Sequence, residues 1–141
     1  MADPFNLSRF VDAQEPVYER VMQELQAARK TSHWMWFIFP QLRGLGHSET
    51  AERYAISGAE EARAYLQHEL LGPRLERCVA TLLQHPDKSA LQILGHPDEL
   101  KLRSCLTLFA RVAPEPLLFQ RALTQFYDGK TDTRTLALLG D

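Results

Sequence analysis

The chain is cut at short intervals by residues that start or stop helices, and the stretches between carry apolar residues at helical spacing. That pattern leaves room for many short helices and little else. Asn6 is placed to cap a first helix carrying Phe10 and Val11. Glu15-Pro16 sets proline at a first turn, ahead of a stripe of Val17, Tyr18, Val21, Met22 and Leu25. Pro40 ends an aromatic run, because proline cannot donate to a continuing helix. Ser48 is placed to cap Glu49 to Ile56. Ser57-Gly58-Ala59-Glu60 has the pattern of a capping box, with Ala62, Tyr65 and Leu66 as the buried side beyond it.

Pro73 opens, or sits in the first turn of, a helix with Leu75, Cys78, Val79, Leu82 and Leu83 inward. Ser89 caps a short helix through Leu94, stopped by Gly95. Pro97 starts the strongest helix, with Leu102, Cys105, Leu106, Phe109 and Val112 on its apolar face. Pro114 and Pro116 bound the next turn. Leu117, Leu118, Ala122 and Phe126 then line a helix that Gly129 stops, and Thr131 caps a last short one with Leu136 and Leu139.

Strand signals are weak. No Asn-Gly or Asp-Gly hairpin turn occurs, and Leu, Ala, Glu, Gln and Arg dominate over β-branched residues. The segment Trp34 to Phe39 is too short for periodicity to decide, and reads as helical or irregular, and buried. The expected fold is all-α: one domain over residues 1–141, a multihelical bundle of short helices. A chain of 141 residues buries roughly 68–70% of its unfolded surface, so it needs no metal or disulfide to hold it. Cys78 and Cys105 have apolar neighbours at helical spacing and read as core thiols.

Several function classes drop out. The net charge of -2 offers nucleic acid no general attraction. The longest apolar run, Trp34 to Pro40, is far short of the ~20 residues that span a bilayer. The start, Met1-Ala2-Asp3-Pro4, lacks the basic and apolar regions of a secretory signal, so a cytoplasmic location is expected. No nucleic-acid or membrane partner and no cofactor is implied. The five histidines are scattered, with no H-x-x-x-H or H-E-x-x-H, so no metal site is expected. No serine-hydrolase elbow, Walker motif or dinucleotide fingerprint is present.

The informative window is residues 25 to 48, which contains no Asp or Glu. It holds Arg29, Lys30, His33, Arg43 and His47, interleaved with Trp34, Trp36, Phe37 and Phe39. Basic groups beside flat aromatics suit an anionic ligand with a π face, such as a nucleotide. Gln41-Leu42-Arg43-Gly44-Leu45-Gly46-His47-Ser48 then runs into a helix, whose free amides would favour phosphate. On this reading Lys30, Trp34, Trp36, Gln41, Arg43, Gly44, Gly46 and Ser48 bind the ligand. His33 is a candidate acid or base, since imidazole titrates near neutral pH. Lys101 and Ser104 share a helix face and complete the candidate catalytic set. Each feature also has a plain structural reading: aromatics as core, glycines as turns, Arg29 and Lys30 as helix-end cations, the Lys101 face as solvated. The alternative function is a non-catalytic interaction module, using Trp34, Trp36 and Phe39 as an exposed patch for a protein partner.

The string Lys30-Thr31-Ser32-His33-Trp34-Met35-Trp36-Phe37-Ile38-Phe39-Pro40-Gln41, with Gly44-Leu45-Gly46, is distinctive. With Arg9-Phe10, Ala64-Tyr65-Leu66, Asp98, Lys101, Ser104 and Thr107-Leu108-Phe109, it resembles the bacterial family called domain of unknown function 1810. The likeness runs over nearly the whole chain. It implies an all-helical fold, and no established activity comes with it. The calpastatin-like label sometimes attached to that family implies protease inhibition, yet no inhibitory repeat is present here. The chain departs from the family pattern at Ser104-Cys105, where many members carry two serines, which leaves Ser104 as the polar group.

Overall fold

The computed structural model describes residues 2–140, and ten helices follow one another along them. In the first third, α1 (Ser8–Gln14) and α2 (Tyr18–Gln26) are followed by the single turn α3 (Met35–Ile38) and the short α4 (Glu49–Arg53). The central pair is α5 (Ala59–Gln67) and α6 (Leu71–Leu83), then α7 (Ala90–Leu94). The last three are α8 (Asp98–Val112), α9 (Leu117–Tyr127) and α10 (Thr133–Leu139). No strand forms among the described residues. A lone parallel bridge joins Leu42 to Ile56, where the Arg43 amide donates to the Ile56 carbonyl and the Ile56 amide to that of Gln41, both at 2.8 Å. No helix of the described residues is long and apolar enough to cross a membrane.

Local chemistry accounts for most of the boundaries. Ser48 accepts from the Ala51 amide and starts α4, although that helix ends at Arg53, before Ile56. Ser89 and Gln92 cap α7 reciprocally. Three boundaries differ from their sequence signals. Asn6 is not the cap of α1; it takes a positive φ of 52°, and Asp3 accepts from the Leu7 and Ser8 amides instead. The expected box at Ser57 is shifted by one residue. Glu61, not Glu60, reaches back to the Ser57 amide at 2.8 Å, and it does so because Arg9 of α1 pairs with it from the other side. α10 is capped by Asp132 rather than Thr131, its carboxylate accepting from the Thr135 amide.

The core is one contiguous cluster organised on α8, which packs against α5, α7, α9 and α10. Tyr65 stands between Phe10 and Phe109, at centroid distances of 5.1 and 5.5 Å, and Phe109 continues the aromatic contact to Phe119. Cys78 and Cys105 lie inside this cluster, and burial pushes both thiols up, Cys78 to about 12. The turn from α5 to α6 closes so tightly that a Cβ on Gly72 would lie 2.1 Å from the Leu66 carbonyl oxygen. In α9 the inward residues are Phe119, Ala122 and Leu123; Leu117, expected on that face, is 66% exposed. α6 and α8 both pack against α9, and the side they cover carries Phe119, Ala122 and Leu123 but not Leu117.

Candidate functional site

The two stretches singled out in the sequence meet in space. A cleft of about 330 Å³ is lined by Trp36, Gln41, Leu45 and Gly46 from the first, and by Pro97, Leu100, Lys101, Arg103 and Ser104 from the second. Asp132 and Arg134, at the start of α10, complete the wall. Lys101 Nζ lies 3.9 Å from the centroid of the Trp36 ring, a close cation–π contact.

That lysine is held by a carboxylate. Asp98, one turn before it on α8, accepts from Lys101 Nζ at 3.1 Å and from Lys30 Nζ at 2.8 Å. Burial alone would raise the Asp98 carboxyl; the two ammonium groups outweigh it and leave it below its ordinary value. Lys30 therefore braces the segment after α2 against α8. It does not line the cleft.

Ser104, one turn after Lys101 on α8, belongs to a hydroxyl–carboxylate cluster. Ser104 Oγ reaches both the Leu100 carbonyl and Asp132 Oδ2 at 3.2 Å. Asp132 Oδ2 also accepts from the Thr135 amide and hydroxyl, and the Asp132 amide donates to Thr107 Oγ1. Ser104 and Thr107 are buried, so this side of α8 is no solvated face: it is the surface on which α10 docks. Arg103 clamps the same junction through the Lys130 and Thr131 carbonyls. Arg134 is exposed and makes one long bond, 3.3 Å, to the Gly44 carbonyl.

The other candidates divide cleanly. Trp34 cannot stack on a ligand: it is 2% exposed, and its indole N–H donates to Glu24 at 2.9 Å. Burial would raise the Glu24 carboxyl, but hydrogen bonds from the Ser32 hydroxyl, the Thr31 amide, the Trp34 indole and the Ser32 amide bring it down to about 2. Phe39 is also buried, so of the three aromatics expected to form an exposed patch only Trp36 reaches the surface. Arg43 points away from the cleft, into a shallow depression shared with Arg9 and Arg53. Gly44, at φ 102°, and Gly46 shape the loop; a Cβ on Gly46 would lie 2.8 Å from that of Ala51. Ser48 is spent capping α4, whose single short turn offers no cradle for phosphate. His33 is exposed and outside the cleft. Among the described residues no group of three His, Cys, Asp or Glu side chains converges to hold a metal.

Arg134 was not visible from the sequence as a site residue. One weak signal was there: a cation in the first turn of a helix opposes the helix dipole, so helix stability does not favour it there.

The family model described as "Protein of unknown function (DUF1810)" matches residues 4–139. The chain belongs to the DUF1810 family. The resemblance drawn from the Lys30–Gln41 string is therefore correct, and so is the all-helical fold it implied. Among solved structures the chain is similar to the conserved hypothetical protein Rv1873 from Mycobacterium tuberculosis, at 55% identity over 99% of each chain with a TM-score of 0.97. A search of curated proteins gives no match.

Proposed function

We propose that this DUF1810 protein binds a small anionic ligand carrying a flat ring, of the nucleotide class, in the cleft between α8, α10 and the Trp36–Gly46 segment. The observation that carries the reading is Lys101 poised over the Trp36 indole on the wall of that cleft. Three cations, Lys101, Arg103 and Arg134, line it against one carboxylate, Asp132. In a recess walled by protein such an excess attracts anions more strongly than it would on an open surface. Arg134 gives up only a long bond to a carbonyl when it turns to a phosphate. Lys101 sits on a flexible four-carbon stem, and leaving Asp98 to Lys30 as it moves toward the phosphate bares the indole for a ring to pack on. Gln41, whose side chain has no hydrogen-bond partner among the described residues, supplies a donor and an acceptor for the ring edge.

The reading is one of binding. Lys101 and Ser104 enter it as contacts, and His33 stays outside it. The test is a titration with AMP, ADP-ribose, NAD and pyrophosphate, following tryptophan fluorescence and thermal stability together. A ligand at a hundred times its dissociation constant stabilises the fold by about 2.7 kcal/mol. The expected result is such a shift with a fluorescence change, both weakened at least tenfold in Lys101→Met. A flat response to the whole panel at millimolar concentration overturns the reading.

A further inference from the structure

Asp132 is an anomaly in the cleft. It is the one carboxylate among three lining cations, yet among the described residues it forms no ion pair with any of them. Its two oxygens are used very unequally. Oδ2 accepts from three donors, the Ser104 hydroxyl and the amide and hydroxyl of Thr135. Oδ1 accepts from none among the described residues. The Ser104 bond to Oδ2 and the Thr107 bond to the Asp132 amide fix the carboxylate from α8, so it is not free to swing toward an arginine. A helix cap needs one oxygen only. The second takes no donor from the described residues, and Asp132 lines the basic cleft.

We infer that Asp132 reads hydroxyl groups on the ligand, so that the cleft selects a sugar phosphate or nucleotide with an intact vicinal diol. The inference rests on the anion-binding reading above. A carboxylate oxygen without a donor accepts one readily, and an ionised acceptor makes the stronger hydrogen bond. The donor is a neutral hydroxyl rather than an ammonium, because Lys101, Arg103 and Arg134 repel a second cation in the same recess. With Trp36 and Gln41 given to the flat ring, Asp132 is the lining group left for the hydroxyls of the sugar. Ser104 acts here as a positioning residue, touching Asp132 rather than ligand.

The substitution Asp132→Asn separates the two roles of the carboxylate. Asparagine caps helices as well as aspartate does, so the fold is retained, but only one oxygen remains and the cap uses it. The experiment compares AMP with 2′,3′-dideoxy-AMP, and ribose 5-phosphate with inorganic phosphate, on the wild type and on Asp132→Asn by calorimetry. The expected result is a preference of tenfold or more for the hydroxylated member of each pair in the wild type, lost in Asp132→Asn and reduced in Ser104→Ala. If the wild type binds both members of each pair equally, the cleft is an anion site and the role given to Asp132 is wrong. A preference that survives in Asp132→Asn overturns it as well. If no member of either pair binds, the parent reading falls and this one falls with it.

Discussion

Lys101 and Trp36 touch on the wall of the cleft, the ammonium 3.9 Å from the ring centroid, while Asp98 accepts from the same ammonium at 3.1 Å. The lysine is thus a charge with two alternative partners, one aromatic and one carboxylate, on the wall of a basic recess. Removing it in Lys101→Met is expected to lower anion affinity at least tenfold while costing the fold only about 1 kcal/mol, the scale of a partly exposed ion pair plus a cation–π contact. Urea denaturation beside a ligand titration checks both numbers. A large stability loss with affinity unchanged would show the lysine to be structural.

Glu24 ties Thr31, Ser32 and Trp34 to α2 through its carboxylate. Its folded-state pKa is about 2 against an ordinary 4.5, so the unfolded chain takes up the proton first as pH falls. The stabilisation is therefore complete above about pH 5 and lost progressively as pH drops toward 2. Glu24→Gln is expected to cost on the order of 2–3 kcal/mol at pH 7 and to flatten the acid limb of the stability curve. Urea unfolding of both proteins between pH 3 and 7 tests this, and parallel curves would refute it.

Gly72→Ala is expected to be among the most damaging single-methyl changes available. The added Cβ meets a backbone oxygen at 2.1 Å, and a carbonyl held in a tight interhelical turn cannot move aside as a side chain would. Overpacking of this kind costs roughly 1–3 kcal/mol or more. Gly58→Ala, where a Cβ meets nothing within 4 Å, serves as the control. Comparable melting temperatures for the two variants would contradict the account.

Cys78 and Cys105 are buried at 1% and 0% exposure, and their thiols sit well above the range in which thiolate forms. Native protein at pH 8 should react with Ellman's reagent only at the rate at which the fold opens, and both thiols should react at once in urea. Fast modification of one thiol in the folded state would point to an access route not seen in the core.

The helical class, most of the helix starts and the core thiols were legible in the sequence, because caps, prolines and apolar spacing act between residues a few positions apart. Ser48, Ser89 and Pro97 stand where their signals place them. The local signals failed where a distant group competed for the same atom. Glu61 replaced Glu60 because Arg9 reaches it from α1, and Thr107 and Ser104 on α8 fix Asp132 as the cap of α10.

The site divides the same way. The acid-free aromatic window and the polar face of α8 were each visible alone, but that they share one cleft was not. Trp34 and Trp36 are alike in type and two residues apart, which turns them ~200° from each other on a helical path. One accordingly became core, bonded to Glu24, and the other a wall of the cleft. Sequence by itself determined the helices and which residue types they carry, since those follow from short-range bonding and burial. Only the tertiary structure decided that Trp36 meets Lys101, and that Asp132 bonds Ser104 and shares a cleft with the arginines. Such contacts depend on how α3, α8 and α10 pack, and packing is settled by the shapes of the whole core rather than by any one segment.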